Sequence, residues 1–220
     1  MPFQSDAELF SRIRSDLYTA VVGDVIDRSG LRAQFLPPNV RPLRPDMVVA
    51  GRAVPVVIAD TPGTDDDPFG KLLEALDSLR EDDVYITNGG HTPYALWGEL
   101  MSTRAKRLKA AGAVMNGYAR DEAGILELGF PTFCHGSYGL DMSFRGKVLE
   151  YGVPSKVGDV LVSPGDVVFG DRDGVLIVPA NTAHEIFDRA LEKVHGENLV
   201  RDAFRDGMSA VDAFAKFGVL

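Results

Sequence analysis

Apolar positions recur at helical spacing at the start of the chain and at strand spacing further on. Within residues 6–15, Leu9, Phe10 and Ile13 share one face of a short amphipathic helix. Ser5 stands where an N-cap belongs, and Glu8, three residues later, completes a capping box. A second helix is predicted from Thr19 to Arg28, with Ala20, Val21, Val22, Val25 and Ile26 on its apolar face and Gly30 at its C-cap. Pro37, Pro38, Pro42 and Pro45 make residues 31–46 extended and irregular. Residues 48–60 read as a buried Val-rich strand, 61–70 as a polar loop with a solvated Asp65-Asp66-Asp67 run, and 71–79 as a helix.

Residues 82–90 then give a strand ending in a glycine-rich turn, and the pattern from about Ala95 to Ala111 predicts a longer helix. Residues 113–119 form the next strand, with Arg120 directly after it, and 131–136 another short strand. Residues 146–178 read as an all-β run, with turns at Ser163-Pro164-Gly165-Asp166 and Asp171-Arg172-Asp173-Gly174. Helices are expected from Asn181 to about Arg201 and over 208–217. Alternating strands and helices, then a run of strands, then helices, point to an α/β domain with a mixed sheet or two stacked sheets. No linker divides the chain, so 1–220 is expected to be a single domain with helical segments at about 6–30 and 181–217.

Composition narrows the function more than the fold. A net charge of −9 disfavours direct contact with nucleic acid, while leaving room for a metal ion, a small anion in a local pocket or a basic protein partner. The lone cysteine, Cys134, forms neither an internal disulfide nor a Cys-based zinc site. With no basic-then-apolar leader in MPFQSDAELF and no apolar run of membrane length, a cytoplasmic protein without a membrane partner is the expectation. No nucleotide loop, dinucleotide fingerprint or serine-hydrolase elbow is present.

The chemistry concentrates between Asn88 and Glu122. A Gly89-Gly90 turn ends one strand, a helix starts near Gly98, and the next strand ends at Arg120-Asp121. Ligands of open α/β sheets sit outside the carboxyl ends of strands, so these points surround one crevice. Helix-start amides and an arginine suit a carboxylate. An adjacent carboxylate suits a hard cation such as Mg²⁺, which keeps several waters. The plainer reading of an Arg-Asp pair at a strand end is a surface ion pair or helix cap.

Several stretches, in order along the chain, resemble the RraA-like family of 4-hydroxy-4-methyl-2-oxoglutarate aldolases and regulators of RNase E. They are TAVVGDVIDRSG (19–30), ALWGELMSTRAK (95–106), GAVMNGYARD (112–121), LGFPTFCHG (128–136) and GDVLVSPGDVVFGDRDGVLIVP (158–179). The resemblance implies a compact layered α/β/β/α sandwich with a central β core. It also implies assembly as homotrimers or hexamers with sites between subunits. The family's aldolases carry a glycine, about twenty residues, Arg-Asp, two residues and an acid. Gly98, Arg120 and Asp121 match, but the last position falls on Gly124, and Glu122 is acidic two places early.

By that resemblance Asp121 binds Mg²⁺ or Mn²⁺ directly and Glu99 holds the cation through a water. Arg120 binds the keto-acid and stabilises the enolate, and the amides of Leu100 and Met101 beside Gly98 take the pyruvate carboxylate. Glu197 is the counterpart, by position, of a glutamate supplied from an adjacent subunit. The implied activity is retro-aldol release of pyruvate from a 4-hydroxy-2-oxo acid, with oxaloacetate decarboxylation on the side. The alternative is a non-enzymatic regulator that binds and inhibits a ribonuclease.

Other candidates divide between functional and structural readings. His91, after the Gly-Gly turn, is either a substrate-binding group or a loop histidine. His91, Tyr94 and Trp97 together suit a sugar-derived acid. Cys134 and His135 are adjacent on a strand and so point to opposite faces, which argues against a nucleophile pair. His184 and His195 belong to a solvated or interface face of the terminal helix. Asp171 and Asp173 lack the further ligands of a calcium loop and read as a β-turn.

Overall fold

The computed structural model describes Phe3, residues 5–63 and residues 67–218. Asp65 and Asp66 of the expected solvated loop lie outside these residues. The amino end forms α1 (Asp6–Asp16), whose cap is Ser5 accepting from the Glu8 amide at 3.2 Å, and α2 (Thr19–Arg28). Then come β1 (Arg41–Pro42), the long β2 (Val49–Asp60), α3 (Leu72–Asp77) and β3 (Asp83–Thr87). The middle of the chain is β4 (Ala95–Trp97), α4 (Glu99–Arg107), β5 (Gly112–Met115), β6 (Tyr118–Ala119), α5 (Glu122–Leu128) and β7 (Thr132–Cys134). The all-β run resolves into β8 (Gly146–Tyr151), β9 (Ser155–Val157), β10 (Val160–Val162), β11 (Val167–Asp171) and β12 (Gly174–Val178). Two helices follow, α6 (Ala183–Arg205) and α7 (Ala210–Phe217).

The main sheet runs in the order β1-β7-β5-β3-β2-β11-β12, with β8 also paired to β2. Its middle strands β2, β3, β5 and β7 are parallel, and the flanking pairings are antiparallel. The β2 strand divides its far edge, pairing with β11 through Val49–Arg52 and with β8 through Val56–Asp60. The two ends of the sheet curl toward each other, and Arg41 on β1 donates to the Arg172 carbonyl in the β11–β12 turn at 3.4 Å. The sheet is therefore nearly closed around a core of Val84, Ile86, Val114, Phe133, Val168 and Ile177, capped by Val157, Val160 and Val162 of the β9–β10 hairpin.

Two helical layers cover the outside. The α1, α2 and α6 helices pack Phe10, Ile13, Val22 and Ile186 on β2, β11 and β12, with Phe169 and Phe187 meeting edge-on at 6.4 Å. The α3, α4 and α5 helices pack Leu72, Leu76, Ala105 and Ile125 against the other outer face. This is the expected layered α/β architecture. The predicted turns also form: Asp166 accepts from the Ser163 amide at 2.8 Å, and Asp171 accepts from the Asp173 amide at 2.8 Å and from the Thr19 amide and hydroxyl at 2.7 Å each. Among the described residues, no helix is long and apolar enough to cross a membrane.

Three expectations need correction, and each correction shapes the site. The helix expected from about Ala95 begins only at Glu99, because fully buried Ala95-Leu96-Trp97 forms β4 beside β6. The strand expected over 113–119 breaks at Asn116-Gly117 into β5 and β6. A helix absent from the expectation, α5, starts immediately after Asp121.

Candidate active site

The small parallel pair β4 and β6 rises beyond the carboxyl ends of β3 and β5, and each strand delivers one half of the site. At the end of β4, the Trp97 ring lies 4.8 Å from Tyr85 and 6.0 Å from Phe130. Its indole nitrogen donates to Ser102 Oγ at 2.7 Å, and that hydroxyl donates to the Gly98 carbonyl at 3.0 Å. Buried Trp97 and Ser102 thus clamp the first turn of α4 onto the sheet. Among the described residues no side chain caps α4, so its leading amides, those of Leu100 and Met101 among them, remain available to an anion.

At the end of β6, Arg120 donates its amide to the Trp97 carbonyl at 2.9 Å, which brings the two strand ends together. Asp121 follows in the left-handed conformation, φ 59° and ψ 36°, and is the N-cap of α5. Few non-glycine residues adopt this conformation; Asp and Asn do so most readily. The turn sends the Asp121 carboxylate back over Gly98. A Cβ at residue 98 would stand 2.9 Å from Asp121 Oδ2 and 3.4 Å from Arg120 Cγ, so glycine is what lets the carboxylate and the helix start meet.

Arg120 lies between two carboxylates, with Nε 3.6 Å from Asp121 and Nη1 3.5 Å from Asp141. All three side chains are part-exposed, at 41%, 52% and 39%. These separations are too long for hydrogen bonds, which leaves the guanidinium fork free to take a planar anion. The cleft has a volume of about 210 Å³ and holds Gly98, Leu100, Met101, Arg120, Asp121 and Asp141.

Glu99 and Gly124 are directly connected. A Cβ on Gly124 would meet Glu99 Cγ at 2.6 Å and Cβ at 3.1 Å, so the Glu99 stem occupies the space that an acidic side chain at 124 would need. The Glu99 carboxylate accepts from Thr103 at 2.6 Å. Glu122 turns away from the cleft to accept from the Ser137 hydroxyl.

The remaining candidates lie elsewhere. His91 lines a separate cleft at the carboxyl ends of β3 and β5, with Asp60, Asn88, Asn116 and Lys156. Tyr94 and Trp97 are buried in the core, and Tyr94 donates to Asp60 at 2.8 Å, so they and His91 do not form the joint polar wall expected for a sugar-derived acid. Glu197, on α6, accepts from Lys193 at 2.7 Å and from the Tyr18 hydroxyl, so both of its oxygens are engaged within its own chain. Burial alone would raise its pKa, but those two hydrogen bonds outweigh it and hold the carboxyl below the ordinary range. Cys134 is buried, which raises its thiol pKa, while the neighbouring His135 ring pairs with Asn116 at 3.1 Å. No nucleophile pair forms.

Sequence reasoning did not find Asp141, nor the apolar wall of Phe69, Leu72, Leu73 and Met142. Asp141 has no motif of its own. Leu73 did carry a signal, being an apolar residue of α3 next to the buried Leu72 yet with 61% of its surface exposed.

Residues 19–177 match the family model described as RraA-like, Aldolase/RraA, and the chain belongs to that family. A Halalkalibacterium halodurans protein, named provisionally as a 4-hydroxy-4-methyl-2-oxoglutarate aldolase, is 27% identical over 96% of this chain and 95% of its own length. Protein DlpA of Legionella pneumophila is 26% identical over 89% of this chain, which spans 31% of that longer protein. The crystal structure of RraAS2 from Streptomyces coelicolor, described as an unusual member of the RNase ES inhibitor family, superposes with a TM-score of 0.79. It is 28% identical and covers 90% of this chain and 98% of its own.

Proposed function

We propose that this chain is a divalent-metal-dependent lyase that cleaves a 4-hydroxy-2-oxo acid and releases pyruvate, with oxaloacetate decarboxylation as a side activity. The observation that carries the reading is the meeting of the Asp121 carboxylate, the Arg120 guanidinium and the uncapped start of α4 across Gly98. The donor set fits Mg²⁺ or Mn²⁺. Among the described residues, no three acidic, His or Cys side chains converge as a protein cage would require. A hard cation that keeps most of its waters needs no such cage; Asp121 over Gly98 would supply one direct carboxylate, and Glu99, next to Gly98 in the chain, is the residue this reading assigns to a metal-bound water.

When bound, such a cation acts as a Lewis acid on the 2-oxo acid. The chain's own groups do the rest. The amides at the start of α4 orient the substrate carboxylate. Arg120 faces the oxygen on which enolate charge develops as the C3–C4 bond breaks, and it is already in place before reaction. Loss of CO₂ from oxaloacetate develops charge on the same oxygen, so it draws on the same arginine. The reading also calls for assembly, and the chain is expected to scatter light as a species well above 23.8 kDa.

The test is pyruvate release from 4-hydroxy-4-methyl-2-oxoglutarate and from oxaloacetate with Mg²⁺, Mn²⁺ or EDTA, comparing wild type with Asp121→Asn. That variant keeps the left-handed backbone and removes the charge. Turnover that needs metal and falls about 10²–10³-fold in the variant is expected. No metal-dependent turnover of either substrate, nor of the monocarboxylic 4-hydroxy-2-oxo-octanoate, sinks the reading.

A second reading, inhibition of a basic protein partner, is favoured by the net charge of −9 and the likeness to RraAS2. It is distinguished by steeply salt-dependent binding to basic peptides that survives Asp121→Asn.

A further inference from the structure

The cleft has two chemically different ends. Its charged groups, Arg120, Asp121 and Asp141, stand together beside the start of α4. The rest of the lining is apolar, with Phe69, Leu72 and Leu73 from around the start of α3 and Met101 and Met142 among them. Among the described residues lining the cleft, Arg120 is the lone cation, and none is a hydroxyl or amide residue. Phe69, Leu73 and Leu100 expose 36%, 61% and 79% of their surface, so apolar area stands open to solvent beside the charged centre.

From this division we infer the substrate class: a 4-hydroxy-2-oxo acid with a single carboxylate and an apolar group, alkyl or aryl, on C4. The inference rests on the lyase reading and deepens it. The single carboxylate and the 2-oxo group take the charged end, where Arg120 is the available cation. A second carboxylate on C4 would be driven against Leu72, Leu73 and Met142, where the described residues of this chain offer no further cation to meet it and Asp141 lines the same cleft. Burying an unpaired carboxylate on an apolar wall is costly, whereas each buried methylene stabilises the complex.

In the reaction the C4 hydroxyl loses its proton to a base as the C3–C4 bond breaks. The electron pair of that bond goes to C3, giving the enolate of pyruvate, which takes up a proton on C3. C4 leaves as the carbonyl carbon of an apolar aldehyde. Atoms and electrons balance without oxidant or reductant.

The experiment separates binding from cleavage. Trp97, the lone tryptophan of the chain, lines the cleft and reports occupancy by its fluorescence. Full-length protein with Mg²⁺ is titrated with 2-oxobutanoate, 2-oxopentanoate, 2-oxo-octanoate and 2-oxoglutarate, none of which can undergo retro-aldol cleavage. The Kd is expected to fall about fourfold per methylene along the alkyl series. 2-Oxoglutarate should bind at least about tenfold more weakly than 2-oxopentanoate, its chain-length match without the second carboxylate. Leu73→Arg, at an exposed position the fold tolerates, should reverse that ratio in favour of 2-oxoglutarate.

Equal or tighter binding of 2-oxoglutarate by wild type, or a flat alkyl series, overturns the substrate class. Pyruvate release from 4-hydroxy-2-oxo-octanoate, which carries no second carboxylate, and from oxaloacetate, which does, is run in parallel, and turnover of either one supports the lyase reading. Pyruvate release from either substrate with a flat series keeps the lyase and removes the apolar tail. A steep series with no cleavage of oxaloacetate or of 4-hydroxy-2-oxo-octanoate keeps the ligand preference and removes the lyase.

Discussion

Replacing Gly98 by alanine tests the central geometry with the smallest available perturbation. The backbone there is extended, φ −155° and ψ −177°, so alanine meets no conformational penalty. The added methyl, however, stands 2.9 Å from Asp121 Oδ2, about half an ångström short of ordinary contact. Asp121 is half exposed and can swing aside, so the strain is relieved by moving the carboxylate rather than by unfolding. Stability should change by under about 1 kcal/mol, a shift of roughly 2–4 °C in Tm for a chain of this size. Catalysis should suffer more. A misplacement of about 1 Å costs on the order of 10²-fold, so half that displacement predicts roughly a tenfold loss. The assay is Mg²⁺-dependent oxaloacetate decarboxylation beside a thermal melt. A Gly98→Ala protein within twofold of wild-type rate, at unchanged Tm, would refute the placement of Asp121 over Gly98 as the working geometry.

Three further predictions follow from the same structure. Glu99→Ala should weaken Mg²⁺ binding about 10-fold or more by calorimetry, and adding Gly124→Asp to it should recover part of the loss, because removing the Glu99 stem opens the space for the new carboxylate. Gly124→Asp alone, with Glu99 still in the way, should not strengthen binding. Glu197→Ala should destabilise the chain by roughly 1–3 kcal/mol at pH 7, since it strips buried Lys193 and Tyr18 of an acceptor. The pKa of Glu197 is depressed in the folded state, so its contribution is present above the ordinary glutamate range. The gap between the two proteins should therefore close as pH falls through the lowered value, and a gap that widens on acidification would contradict it. Tyr85→Phe should leave stability unchanged or raise it by up to about 1 kcal/mol in denaturant titration, because among the described residues the buried Tyr85 hydroxyl has no hydrogen-bond partner.

The outer elements were legible because each carried a complete local signal. Thr19–Arg28 had an apolar face and a terminating glycine, and the turns at 163–166 and 171–174 had their own hydrogen-bonding aspartates. The site region was harder to read because its elements are short and set by tertiary pairing. Ala95-Leu96-Trp97 continues a helical pattern in sequence, yet it is drawn into β4 by Tyr118-Ala119 and by the Tyr85–Trp97–Phe130 ring packing. The Arg120, Asp121 and Gly98 grouping came through a motif, whereas the apolar wall from α3 depends on where that helix docks and has no motif at all. The relation of Glu99 to Gly124 is likewise a packing fact, invisible when the two are counted separately along the chain.

The left-handed turn at Asp121 also bears on how such a protein drifts. From an aspartate codon, a single base change reaches asparagine or glycine, and these are among the residues that hold this backbone conformation most easily. The carboxylate can therefore be lost in one mutational step with the start of α5 left intact. A lineage can shed the chemistry while its scaffold remains available for other uses, and the same step in reverse regains it.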